Sequence, residues 1–133
     1  MRPARGAWAV LLLSLVGLAL SGYLVYLHLG LLRGELLGGA ACSGSGAFNC
    51  HAVTGGAWGR FLGVPLPLWG LTGYLAAIAL ILLAWQSTEW ESHALVLLSW
   101  LALAFVGTDL VLLAAMVVII RAYCLFCLLT YAV

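Results

Sequence analysis

The chain is organised around the stretch Arg121-Ala122-Tyr123-Cys124-Leu125-Phe126-Cys127-Leu128-Leu129-Thr130-Tyr131, where one hydrophobic run gives way to the next. On a helix, residues three apart project to the same side, so the two thiols are close enough to be joined. At a helix start they also face unpaired backbone N–H groups and the positive end of the helix dipole, which favour thiolate. The stretch therefore predicts a redox-active cysteine pair at the beginning of a helix.

The composition around this pair is that of an integral membrane protein. Of the 133 residues, 66% are hydrophobic and 7% are charged, and the mean hydropathy is +1.21. Soluble domains have far more charged residues. The net charge of +1 and the lack of Lys leave no basic surface for nucleic acid, so that class of partner is excluded.

Working outward, the apolar segments predict an all-α bundle of four transmembrane helices, forming one domain over residues 1–133. The first three helices cover about 7–29, 64–85 and 94–120, and the fourth begins at about 121. Since a crossing takes roughly 20 residues, too few remain for a complete fourth span. We expect that helix to be partial, or the chain to continue past Val133. A long external loop over 30–63 joins the first two helices, and a polar turn over 86–93 joins the next two.

The four cysteines fall into two pairs, Cys42 with Cys50 in the loop and Cys124 with Cys127 on the fourth helix. Three disulfide connectivities are compatible with four cysteines. With four spans, the loop and the start of the fourth helix lie on one side of the membrane, so all four thiols can meet. Disulfides there require an oxidising compartment. A four-thiolate metal site is the alternative, but the spacing of the loop pair is unlike zinc knuckles, and we expect no metal.

Other polar and small residues carry secondary predictions. On the first helix, Ser14, Gly17 and Ser21 recur at spacings that let another helix approach closely. The segment 57–62 is expected to lie as a short amphipathic piece on the membrane surface.

Two ionisable residues have an open role. His51, beside Cys50, is placed to lower the pKa of that thiol or to accept a proton, although a loop histidine is more often solvent-facing. Asp109 falls inside the third span, where an ionisable group is costly. It is either a protonated residue hydrogen-bonded to a neighbouring helix or part of a proton route.

Three sequence features occur together: the loop pair with seven residues between its cysteines, the helix-opening Pro65-Leu66-Pro67-Leu68-Trp69-Gly70, and the C-x-x-C followed four residues later by Tyr131. In this combination, over nearly its whole length, the chain resembles the vitamin K epoxide reductase family. The resemblance implies a four-helix bundle that encloses a quinone of the ubiquinone or menaquinone type.

The resemblance also implies an order for the thiols. Cys127 is the thiol nearest the quinone, and Cys124 is the one that exchanges with Cys50. Cys42 receives electrons from a thioredoxin-like exported protein, either separate or fused to this chain.

Two further residues are expected to contact the quinone. Cys124, Cys127 and Tyr131 share one helical face, so the Tyr131 hydroxyl is placed to donate a hydrogen bond to a quinone carbonyl reached by Cys127. Animal members of the family have an Asn near the start of the second helix. Here Leu66 and Leu68 stand at that point, and Leu66 is the predicted contact.

The predicted activity is that of a membrane thiol:quinone oxidoreductase that supports disulfide-bond formation. It is expected in a bacterial or archaeal plasma membrane, with the cysteines facing the periplasm or exterior. Within the same fold, the alternative is reduction of a quinone epoxide, as in animal relatives. A different class of function is a non-enzymatic scaffold with static disulfides or zinc.

Overall fold

The structure, a computed structural model, describes residues 5–35, 48–86 and 88–133, and this part is mostly helical. The helices are α1 Arg5–Leu32, α2 Cys50–Gly55, α3 Leu66–Gln86, α4 Thr88–Ala114 and α5 Leu125–Ala132. A 3₁₀ turn over Ala57–Gly59 and the strands β1 Arg60–Phe61 and β2 Val64–Pro65 lie between α2 and α3. A π-helical segment, Ala115–Ile120, continues α4.

Within the described residues, three helices are long and apolar enough to cross a membrane: Arg5–Leu32, Leu66–Gln86 and Glu89–Ile120. They correspond to the first three predicted spans. Many of their large apolar side chains are exposed on the outer surface of the bundle, among them Leu103 and Val118. Such extensive apolar exposure is typical of a surface that faces lipid.

The connection between α3 and α4 differs from the predicted polar turn over 86–93. The chain is helical to Gln86 and again from Thr88. Glu89 and Glu91 lie in the first turn of α4. Carboxylates there are stabilised by the positive end of the helix dipole, so polar residues that resemble a turn in the sequence continue the helix instead.

The segment before α3 contains a 3₁₀ turn and a small hairpin, and α3 begins at Leu66, two residues after the predicted start at about 64. That the segment 57–62 lies on the membrane surface stays a prediction. Arg60 pairs with Pro65, and Phe61 pairs with Val64. The two residues of the turn both have positive φ, 53° at Leu62 and 79° at Gly63. Positive φ at both central positions is what a type I′ hairpin turn requires, and a right-handed helix cannot continue through it.

Helices α1 and α3 pack closely through small residues, as predicted. Ser14, Gly17 and Ser21 are all buried. A Cβ atom at Gly17 would collide with the Tyr74 ring, and one at Gly70 would lie 3.0 Å from Ser21 Oγ. The absence of these Cβ atoms therefore brings the two helices into contact along this face.

The fourth helix begins later than the predicted position of about 121. The π-helical segment ends at Arg121, whose left-handed backbone has φ 53°. Helix α5 then starts at Leu125, with Cys124 as its N-cap. Because a residue in the left-handed conformation ends a right-handed helix, residues 121–124 form a link between two helices.

Candidate active site

Three of the four cysteines lie in one buried cluster at the end of the bundle where α1, α2 and α5 meet. Cys50 and Cys124 are fully buried, and Cys127 is 6% exposed. Cys42 lies outside the described residues. The other buried members of the cluster are Leu24, Leu27, Val53 and Met116. The fold thus brings the second loop cysteine together with both cysteines of the C-x-x-C motif.

Cys50 is the first residue of α2 and is disulfide-bonded. The side chain of Asn49 caps this helix, because its Oδ1 accepts a hydrogen bond from the Ala52 N–H at 3.0 Å. Within the helix, Thr54 Oγ1 donates to the Cys50 carbonyl at 2.7 Å. A six-residue helix is too short to be stable alone. The cap and the buried cluster therefore hold Cys50 in place.

A backbone contact joins the segments that precede Cys50 and Cys124. The Asn49 N–H donates to the Tyr123 carbonyl at 2.8 Å, and Phe48 and Tyr123 form a parallel bridge. The two aromatic rings are 6.1 Å apart between centroids. We call this contact, formed by Phe48, Asn49 and Tyr123, the clasp. It holds Asn49, the residue before Cys50, against Tyr123, the residue before Cys124.

Cys124 and Cys127 are both free thiols, at the N-cap and in the first turn of α5. The Cys127 N–H donates to Cys124 Sγ at 3.2 Å. The hydrogen bond from the Cys127 thiol, joined by the backbone N–H groups of Cys127 and Phe126, lowers the pKa of the Cys124 thiol against the opposing effect of burial. Cys124 therefore forms a thiolate more readily than an ordinary cysteine does.

A large apolar cavity adjoins this cluster. Its volume is about 1300 Å³, and its walls come from α1, the hairpin, α3, α4 and α5. The three predicted contact residues Leu66, Cys127 and Tyr131 all line it. Cys124 is not among the described residues that line it, so of the two motif thiols only Cys127 faces the cavity. Apolar walls with a few polar groups suit a lipid-soluble ligand, and a quinone fits that description.

Two residues of the site were missed by sequence reasoning. Asn49 caps α2 and supplies the backbone donor of the clasp, and Asn before a short helix is a recognisable capping signal. Tyr74 lines the cavity and donates from its hydroxyl to the Thr130 carbonyl at 3.1 Å, which ties α3 to α5. No local pattern distinguishes Tyr74 from an ordinary aromatic residue of a membrane span.

Asp109 and His51, whose roles the sequence left open, lie in different surroundings. Asp109 lines the cavity, on the wall that α4 provides. Both ring nitrogens of His51 are buried and have no hydrogen-bond partner in the described part of the chain, and the same holds for Nδ1 of His28. Within that part, no three His, Cys, Asp or Glu side chains form a group suited to a metal ion.

Comparison with known proteins gives one family match. A model of the vitamin K epoxide reductase family matches residues 8–133, which is nearly the entire chain. No curated protein sequence matches the chain.

Proposed function

The chain belongs to the vitamin K epoxide reductase family, whose members are membrane-bound oxidoreductases, and on that premise we propose that it is a thiol:quinone oxidoreductase. It oxidises an exported thioredoxin-like protein, separate or fused, and so supports disulfide-bond formation. The observation that carries the proposal is the clasp, which holds Cys50 against the segment of Cys124, while Cys127 lines the apolar cavity beyond. The proposal includes a fourth membrane span, which begins with α5.

The relay begins at the loop pair. Two thiols of the partner reduce the disulfide between Cys42 and Cys50 and leave as the partner's own disulfide. The Cys50 thiolate then attacks Cys124 in the oxidised C-x-x-C motif, and Cys127 leaves as a thiolate that takes up one of the protons released by the partner's thiols. Attack by Cys42 on Cys50 restores the loop disulfide and releases Cys124. Each step exchanges one sulfur–sulfur bond for another, so the electron pair moves to the C-x-x-C motif without loss.

The second half of the reaction takes place at the cavity wall. A bound quinone, of the ubiquinone or menaquinone type, accepts two electrons and two protons. Cys124 and Cys127 supply the electrons as they close their disulfide. Leu66 packs against the ring, and the Tyr131 hydroxyl donates a hydrogen bond to its carbonyl. The lowered pKa of Cys124 supports its role as the thiolate whose sulfur bonds to Cys127 while the two electrons pass to the quinone.

Cysteine trapping tests the relay. In the double variant Cys42→Ser with Cys127→Ser, we expect Cys50 and Cys124 to form a disulfide that non-reducing mass spectrometry detects. The matched control, Cys42→Ser with Cys124→Ser, leaves Cys50 facing Cys127 and is expected to give far less cross-link. Equal cross-linking in both variants would mean that the clasp does not direct the exchange.

Quinone reduction is tested with the purified full chain, a short-chain quinone and a dithiol. The wild-type protein is expected to produce quinol, and Cys127→Ala is expected to lose this activity. A normal rate in Cys127→Ala would sink the proposal. A static scaffold predicts instead one fixed cysteine connectivity, whatever the quinone or reductant supplied.

Reduction of a quinone epoxide is the second candidate, because the family that matches the chain is described by that activity. Leu66 lines the cavity at the start of α3, where animal members have an Asn that donates a hydrogen bond. We therefore place thiol oxidation first. Supplying epoxide and dithiol to the same preparation and measuring quinone product separates the two.

The proposed location is a bacterial or archaeal plasma membrane, with the cysteine cluster on the exterior side. A thiol reagent that does not cross membranes is then expected to label reduced Cys42 in intact cells. Labelling only after the cells are opened would reverse the orientation.

A further inference from the structure

The wall that α4 contributes to the cavity carries a carboxyl group that the thiol relay does not use. Asp109 lies within the span of α4 and is partly buried. It is the one acidic side chain among the described residues that line the cavity, and Arg60, on the hairpin, is the one basic side chain there. A carboxyl group inside a membrane span has a high energetic cost unless it has a partner or a function.

Besides Arg60, the described ionisable side chains that line the cavity with Asp109 are Tyr74, Tyr131 and Cys127. The Tyr131 hydroxyl and the Cys127 thiol line the same cavity as Asp109. Tyr74 lines the cavity as well, but its hydroxyl proton is already donated to the Thr130 carbonyl. In the described part of the chain, Asp109 has no ion pair and no hydrogen bond from its side chain. The neutral acid, which keeps a proton to donate, is the form that suits this apolar site.

Closing the disulfide of the C-x-x-C motif provides two electrons but not two protons. When Cys124 acts as a thiolate, Cys127 brings the only thiol proton to the cavity. Reduction of a quinone consumes two protons, so one more must come from another group. Asp109 faces the cavity into which Cys127 and Tyr131 also project, and it is placed to provide that proton.

We propose that protonated Asp109 is a catalytic residue that hydrogen-bonds a quinone oxygen and transfers a proton to it. The inference rests on the proposed thiol:quinone activity. A sulfur–sulfur bond forms between Cys124 and Cys127, and their two electrons pass to the quinone. One proton comes from the Cys127 thiol and one from Asp109, which is left as a carboxylate. It regains its proton from water before the next turnover.

Steady-state kinetics of the full chain with dithiothreitol and a short-chain quinone provide the first test. Because a general acid contributes about 100-fold or more, Asp109→Asn is expected to lower kcat for quinone by about 100-fold. Asp109→Glu, which keeps the acid, is expected to recover most of this loss. Ser99→Ala is the matched control on the same helix, since among the described residues Ser99 Oγ donates only to the Leu95 carbonyl of its own helix, at 2.8 Å. It is expected to leave kcat unchanged.

Infrared difference spectra on adding quinone provide a readout other than activity. The carboxylic acid C=O band is expected to shift in the wild type and in Ser99→Ala, and the shifted band is expected to be missing in Asp109→Asn. A residue with a purely structural role would give no such band. The Cys50 to Cys124 cross-link, formed in Asp109→Asn combined with Cys42→Ser and Cys127→Ser, reports whether the fold is intact.

The outcomes separate this inference from the function beneath it. If the wild type reduces quinone and Asp109→Asn does so equally fast, the role of Asp109 is refuted and the relay stands. An absent carboxyl band in the wild type refutes it too, even if Asp109→Asn is inactive or misfolded. If the wild type itself does not reduce quinone, both the thiol:quinone function and the role of Asp109 are refuted.

Discussion

Replacing Asn49 by Ala removes the side-chain cap of α2 while leaving the backbone clasp in place. The lost interaction is the 3.0 Å hydrogen bond from the Ala52 N–H to Asn49 Oδ1. Losing an Asn cap costs about 1 kcal/mol. Since 1.4 kcal/mol is a tenfold change, the equilibrium constant for opening α2 is expected to rise by about 5-fold. The backbone bond from Asn49 to the Tyr123 carbonyl needs no side chain, so it should survive the substitution.

Hydrogen exchange followed by mass spectrometry measures this opening directly, because exchange through local opening follows its equilibrium constant. Exchange in a peptide covering residues 50–56 is expected to accelerate about 5-fold in Asn49→Ala, in line with the cost of a lost cap. A peptide from within α3 is expected to be unaffected. Asn49→Asp keeps an acceptor oxygen and serves as the control. Unchanged exchange in Asn49→Ala, or equal acceleration in Asn49→Asp, would refute the reasoning.

Two further predictions concern packing and protonation. Gly17→Val forces a side chain into the Tyr74 ring and should lower the free energy of unfolding by about 1–3 kcal/mol, measured by thermal unfolding in detergent. Gly6→Ala places a Cβ with nothing within 4 Å and should not lower it. Cys127→Ala removes the main hydrogen bond that lowers the pKa of Cys124. The Cys124 thiolate should then form only at higher pH, so the inflection of its alkylation rate should move upward, and an unmoved inflection would show that the backbone N–H groups suffice.

If Asp109 and the clasp have the roles proposed here, the two halves of the reaction are controlled at different places. The clasp controls exchange between the loop and Cys124, at the end of the bundle. Asp109 controls the supply of a proton inside the membrane span. A variant of one should therefore leave the other half-reaction intact, as the cross-linking and quinone assays can show.

Much of the fold was predictable because its signals are local. Long apolar runs identified the first three spans, and the small residues at 14, 17 and 21 correctly indicated a close helix contact. The errors fell where local signals conflict. Glu89 and Glu91 resemble a polar turn but are stabilised in the first turn of a helix. The hairpin turn depends on positive φ at Leu62, which residue type alone does not indicate.

The placement of the site depended on contacts between distant segments. The predicted residues Leu66, Cys127 and Tyr131 all line one cavity. Asn49 and Tyr74 were missed because each acts on a segment far along the chain, Tyr123 for one and Thr130 for the other. Such pairings leave no periodicity or spacing to detect.

The sequence alone establishes that this is a membrane-bound chain with two spaced cysteine pairs, one of them at a helix start. Spacing and hydrophobicity are properties of neighbouring residues, so no tertiary contact is needed to specify them. Which thiol faces which neighbour is a different matter. Three features of the tertiary structure determine it: the left-handed residue Arg121, the clasp, and the close packing of α1 on α3. Together they place Cys124 beside the segment of Cys50 and Cys127 at the cavity. Those positions follow from backbone hydrogen bonds and steric contact between segments far apart in the chain.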